Sequence, residues 1–131
     1  MPVILDEVKL EKIDREAATT PLHKVVEFLR DNLGQKFTAY ISGLNDPKEV
    51  GAWIKKAVNP RPPADMRLRY AYRVVRMILQ AYGSETAKVW LFGTNSRLRD
   101  EAPALLLRHA KIPDDLKDIV PVARAFAGSV D

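Results

Sequence analysis

Along this chain apolar residues recur at helical spacing far more often than in the alternation that a strand requires. Residues 3–16 set Ile4, Leu5, Val8 and Ile13 in a loose helical rhythm, read as a short N-terminal helix or arm. Thr19-Thr20-Pro21 is a helix start, a hydroxyl cap before a proline at the first helical position. Leu22, Val25, Val26, Leu29 and Leu33 then mark one face of a helix that stops at Gly34. A shorter helix is predicted over 35–42, with Phe37, Ala39, Tyr40 and Ile41 apolar and Gly43 closing it. Asn45-Asp46-Pro47 opens a third, running to about 57, with Val50, Trp53 and Ile54 on one side. Asn59-Pro60-Arg61-Pro62-Pro63 cannot be helical and is the clearest break in the chain.

The longest helical pattern covers 64–82. Leu68, Ala71, Val75, Ile78, Leu79 and Tyr82 form one apolar stripe, and Met66, Tyr70, Val74, Met77 and Ala81 a second. Such a helix is the centre of a core or part of an interface between copies. It is expected to be the most buried element and to be shared with a symmetric partner in a homodimer. Gly83-Ser84 breaks it, with Ser84 as the cap of a helix running to about Phe92. Two more helices are expected, near 100–110 and 114–127. Pro103 suits a first turn, and Pro121 forces a kink or interruption near Ile119. The fold class is therefore all-α, with about seven helices. The organisation expected is an arm over 1–18, a helix-turn-helix-like region over 19–62, and a central helix with a C-terminal domain over 63–131.

Composition narrows the chemistry. The 131 residues are 47% hydrophobic and 29% charged, an ordinary globular balance. Cysteine is absent, which excludes disulfides, thiolate zinc sites and cysteine nucleophiles. His23 and His109 lie far apart, so neither a metal nor any other cofactor is expected. No apolar stretch approaches the ~18 residues that span a bilayer, and Asp6 and Glu7 stand where a signal peptide is basic. A cytoplasmic protein with no membrane partner is the expectation. The chain shows no Gly-rich phosphate loop and no Gly-x-Ser-x-Gly, and nothing orients His109 as a base, so no catalytic residue is expected.

Net charge is +4, but residues 48–76 carry eight basic side chains against Glu49 and Asp65. A basic centre fits a polyanionic partner. The three helices around Gly43 form a helix-turn-helix candidate, with Ala39 at the close approach and Val50 and Trp53 packing the third helix. Lys48, Glu49 and Ala52 face outward at the front of that helix, and Lys55 and Lys56 follow. These, with Arg61, Arg67 and Arg69 for phosphates, are the candidate contacts to operator DNA. The same pattern also describes a plain three-helix unit with solvated lysines, since this helix carries no Arg, Asn or Gln to read a base edge in two places.

Ala87-Lys88-Val89-Trp90-Leu91-Phe92-Gly93-Thr94-Asn95-Ser96-Arg97-Leu98, then Pro103 and Leu105-Leu106, then Val122-Ala123-Arg124-Ala125-Phe126, resembles the toxin-binding domain of Xre/MbcA/ParS-like antitoxins. The likeness covers about residues 33–126. It departs from the family where Ala102 stands in place of the usual Ser or Thr before the proline, leaving Asp100 or Glu101 to cap, and where the 111–117 link is longer. The resemblance implies a helix-turn-helix-type N-terminal bundle packed on the central helix and a small C-terminal helical toxin-binding domain. It implies an antitoxin that neutralises a cognate toxin, often of the NAD-consuming RES type, and represses its own operon as a dimer. Trp90, Asn95, Arg97 and Leu98 carry the motif. Arg124 and Phe126, near the end of the last helix, are the residue types that anchor interfaces and are expected to form part of the plug. A stand-alone helix-turn-helix regulator without a toxin is the alternative.

The residues read independently as local structure. Trp90 and Phe92 bury area at a helix end, Gly93 takes a left-handed closing position, and Asn95 bonds its own turn.

Overall fold

The computed structural model describes residues 5–128. Among them are eight α-helices and no strand. They are α1 (Glu7–Thr19), α2 (Leu22–Leu33), α3 (Gln35–Ser42), α4 (Lys48–Ile54), α5 (Ala64–Tyr82), α6 (Ser84–Phe92), α7 (Pro103–His109) and α8 (Ile119–Gly128), with 3₁₀ turns at Ser96–Leu98 and Pro113–Leu116. The all-α expectation holds.

Helix α5 is the axis of the molecule. It buries Leu68, Ala71, Tyr72, Val74, Val75, Met77, Ile78 and Ala81, and α1, α2, α3, α6, α7 and α8 all pack on it. Burying one large aliphatic side chain contributes roughly 1.5–3 kcal/mol, so this helix dominates the core. No residue of its two apolar stripes is exposed. Seven of these eleven residues are buried against helices of the same chain, and Met66, Tyr70, Leu79 and Tyr82 are half-buried. The double stripe thus reflects a central helix and gives no reason for a second copy, which corrects the ground on which a shared α5 was expected.

The first helix is part of the body, not an arm. Asp6 caps it by accepting from the Lys9 amide at 2.9 Å. Leu10, Ile13 and Ala17 are buried, as is Leu5 just before it, whose amide donates to the Ala127 carbonyl at 3.1 Å. Buried residues from all eight helices join in one hydrophobic cluster.

Several caps differ from the sequence expectation. Thr20 turns its hydroxyl back on the Glu16 carbonyl, closing α1 and leaving α2 without a side-chain cap. Ser84 is the first residue of α6, and Gly83 is the cap. Gly93 is extended, not left-handed, at φ −93°; a side chain there would put its Cβ 2.9 Å from the Val89 carbonyl oxygen. Neither Asp100 nor Glu101 caps α7, whose cap position is Ala102 with no side-chain bond. The interruption expected near Ile119 is the start of α8 itself, which places Pro121 in a first turn, where its missing N–H leaves no bond unmade.

Candidate recognition surfaces

The first surface is built around α4. Gly43 ends α3 in the left-handed region, φ 97° and ψ 7°. Its amide donates to the Tyr40 carbonyl at 3.1 Å, and the Leu44 amide to that of Ala39 at 2.9 Å. Asp46 accepts from the Lys48 amide at 3.0 Å, and the Gln35 side-chain amide donates to the Pro47 carbonyl at 2.7 Å. Val50 and Trp53 are buried, and α4 packs on α2 and α3 through them. Lys48 and Glu49 are exposed on α4, and Ala52 is half-buried. The helix ends at Ile54, earlier than expected, so Lys55 and Lys56 stand in the turn beyond it, with Lys56 at φ 63°. Both are exposed, as is Arg61 in the connector.

Arg67 and Arg69 do not join this surface. The Arg67 guanidinium donates to the Ser42 carbonyl at 3.0 Å and to that of Ala110 at 2.8 Å. Burial, with Arg108 nearby, holds its pKa below the ordinary arginine value. Arg69 donates to the Ala17 and Thr20 carbonyls at 3.0 and 2.8 Å, satisfying the open end of α1. Further along the same line, Arg73 pairs with Asp14 at 3.1 Å and Arg76 with Glu16 at 2.9 Å. Burial lowers the Arg76 pKa, but its bonds to Glu16 and Tyr72 outweigh that and hold it above the ordinary value. The polar line of α5 is internal structure, because its cations meet carbonyls and acids of their own chain.

Sequence reasoning missed Arg108. From the last turn of α7 it donates to the Tyr40 carbonyl at 2.7 Å, the Leu44 carbonyl at 3.2 Å and Asn45 Oδ1 at 2.9 Å, with its guanidinium 4.7 Å from the centre of the Tyr40 ring. Arg67 and Arg108, both beyond the chain break, thus hold the α3–α4 turn that precedes it. No local signal marks either, since their acceptors lie far away in sequence.

The second surface is a cleft of about 460 Å³ between α6, α8 and the turn after α6. Trp90 and Phe126 line it with ring centres 6.4 Å apart, and Tyr82 packs on Phe126 at 4.8 Å. The Tyr82 hydroxyl donates to the Phe126 carbonyl at 3.2 Å. Asn95, Ser96 and Arg97 form the rim. As expected, Asn95 bonds its own turn, accepting from the Arg97 amide at 2.9 Å. The aromatic floor is partly open, with Phe126 38% exposed and Trp90 9%.

Two motif residues fall outside this cleft. Leu98 is buried and pins the turn to the core. Arg124 is turned away, toward α1: it pairs with Asp14 at 2.7 Å and with Glu7. Asp14 therefore takes Arg73 on one oxygen and Arg124 on the other. Arg124 is a strap between α8 and α1, not an anchor offered to a partner.

Among the described residues no group of three or more His, Asp or Glu side chains is placed to hold a metal, and no helix is long and apolar enough to cross a membrane. Compared with family models, characterised proteins and solved structures, the chain matches none.

Proposed function

We propose that this chain is an antitoxin: it binds a partner enzyme through the aromatic cleft, blocks it, and contacts operator DNA through the α4 surface. One observation carries the reading. Trp90, Asn95, Arg97 and Phe126, four of the six residues picked out with the antitoxin-like motif, come from a helix, a turn and a later helix and meet around one cleft. An aromatic floor with an arginine on the rim is the composition of an interface anchor site. The resemblance adds that the partner is a toxin, of the NAD-consuming RES type.

The regulator without a toxin draws on the left-handed Gly43 turn and the exposed lysines around α4, and it leaves the cleft without a role. Co-expression with the product of the adjacent reading frame, scored for growth, separates the two. Rescue by the natural chain is expected. Arg97→Glu and Phe126→Ala should abolish rescue at unchanged expression, while Val8→Asp, at a 73% exposed position on α1, should not. Full rescue by both cleft variants, or promoter binding without any rescue, overturns the antitoxin reading.

A further inference from the structure

The turn from Asn95 to Glu101 holds Arg97 outward in a fixed place. Two successive non-glycine residues, Arg99 at φ 58° and Asp100 at φ 61°, are left-handed, a conformation that L-residues avoid. The turn is held there by a closed set of bonds. The Asp100 amide donates to the Asn95 carbonyl at 2.9 Å, and the Asn95 amide to the Glu101 carbonyl at 3.2 Å. Buried Leu98 ties the middle of the turn to the core. Strained backbone kept by this much surrounding structure is the pattern of a recognition element.

The charges point to what is recognised. Arg67, Arg69, Arg73, Arg76, Arg108 and Arg124 each donate to an acceptor in their own chain. Arg97 makes no side-chain hydrogen bond or ion pair among the described residues, and it is the one charged residue lining the cleft. We propose that the cleft recognises, in an exposed segment of its protein partner, an apolar side chain followed directly by a carboxylate. The apolar group covers the open edges of Trp90 and Phe126, and the carboxylate takes the paired N–H donors of Arg97. A phosphate is the poorer fit, because no second cation lines the cleft to balance a dianion. The recognition chemistry rests on the antitoxin reading only for which protein carries the segment.

Trp53 and Trp90 are the two tryptophans of the chain, so the ¹⁵N-labelled protein has two indole N–H signals, one on each surface. The probes are a blocked hexapeptide with a central phenylalanine–aspartate pair, its phenylalanine–asparagine twin, and adenosine monophosphate. The aspartate peptide should move the Trp90 indole and leave that of Trp53 in place. The asparagine twin should bind about tenfold more weakly. Arg97→Gln, an exposed change, should bring the two peptides to equal affinity, with the Trp53 signal reporting an intact fold. An unmoved Trp90 at about 5 mM peptide, equal binding of both peptides to the natural chain, or tighter binding of the nucleotide overturns the proposal. Growth rescue is read separately. Rescue without discrimination between the peptides removes the carboxylate pairing and keeps the antitoxin reading; discrimination in a chain that rescues nothing does the reverse.

Discussion

At the scale of single residues, glycine separates strain from opportunity. Gly43 needs its left-handed φ of 97°, and a Cβ there would lie 2.3 Å from Nη1 of Arg67. Gly43→Ala must strain the turn and displace the Arg67 bond to Ser42. A loss of about 2 kcal/mol is expected in urea unfolding. Gly51, inside α4, has open space around it. Gly51→Ala should raise stability by about 0.5–1 kcal/mol, because glycine is a poor helix residue. The same methyl alters the outward side of α4, so weaker operator binding by this more stable variant would place that side against DNA. Asp115 gives a pH test. It accepts from the Lys111 and Ile112 amides, which hold its carboxyl below the ordinary range. A lowered folded pKa stabilises above the unfolded value and fades as pH falls through the folded one. Asp115→Asn should therefore lower stability at neutral pH, and the difference from the natural chain should vanish as pH falls below the ordinary carboxylate range.

At the scale of elements, α1 and α8 carry more of the fold than an arm and a plug would. Leu10 and Ile13 are buried, and Asp14 and Glu16 meet Arg73, Arg76 and Arg124. Ile13→Ala should cost about 2–4 kcal/mol, where a free arm would lose under ~0.5. Stopping the chain after Val122 should likewise damage folding, because it removes buried Ala123 and Ala127 along with Arg124. Loss of toxin binding in that truncation would say nothing about a plug; cooperative melting of a chain lacking residues 1–20 would contradict this account of α1. The bounds of helix α5 were legible to the residue because its apolar stripes at helical spacing stop at Pro63 and Gly83. The interruption near Pro121 was legible from the missing donor of proline. What the sequence hid was partnership. An arginine on a helix looks the same whether it faces a phosphate or the carbonyl end of α1, and only the packing of α1 against α5 decides it. The cleft shows the same divide. Asn95 announced its turn bond locally, whereas the meeting of Trp90 with Phe126 depends on the path of α8, and Arg124, two residues away, points elsewhere.

At the scale of the whole molecule, the internal use of arginine changes what the basic segment can do. Eight cations lie between residues 48 and 76, but Arg67, Arg69, Arg73 and Arg76 are held by carbonyls and carboxylates within the chain. Lys48, Lys55, Lys56 and Arg61 remain exposed. If all four meet phosphates, the logarithm of the binding constant should fall against the logarithm of salt with a slope near −3.6 per chain. Lys55→Ala with Lys56→Ala should reduce that slope by roughly 1.8 and weaken all sequences alike. Arg69→Ala should act differently. It uncovers the last carbonyls of α1, so it should lower the melting temperature while leaving the salt slope of the folded fraction unchanged. Glu49 and Ala52 sit among the four cations, and changing either should alter which sequence is preferred more than how binding responds to salt. A slope steeper than about −5 per chain would mean that cations beyond these four reach DNA; if they are the arginines of α5, α1 would have to loosen on binding. Hydrogen exchange at the α1 amides, unchanged between the free and DNA-bound chain, is the result expected here.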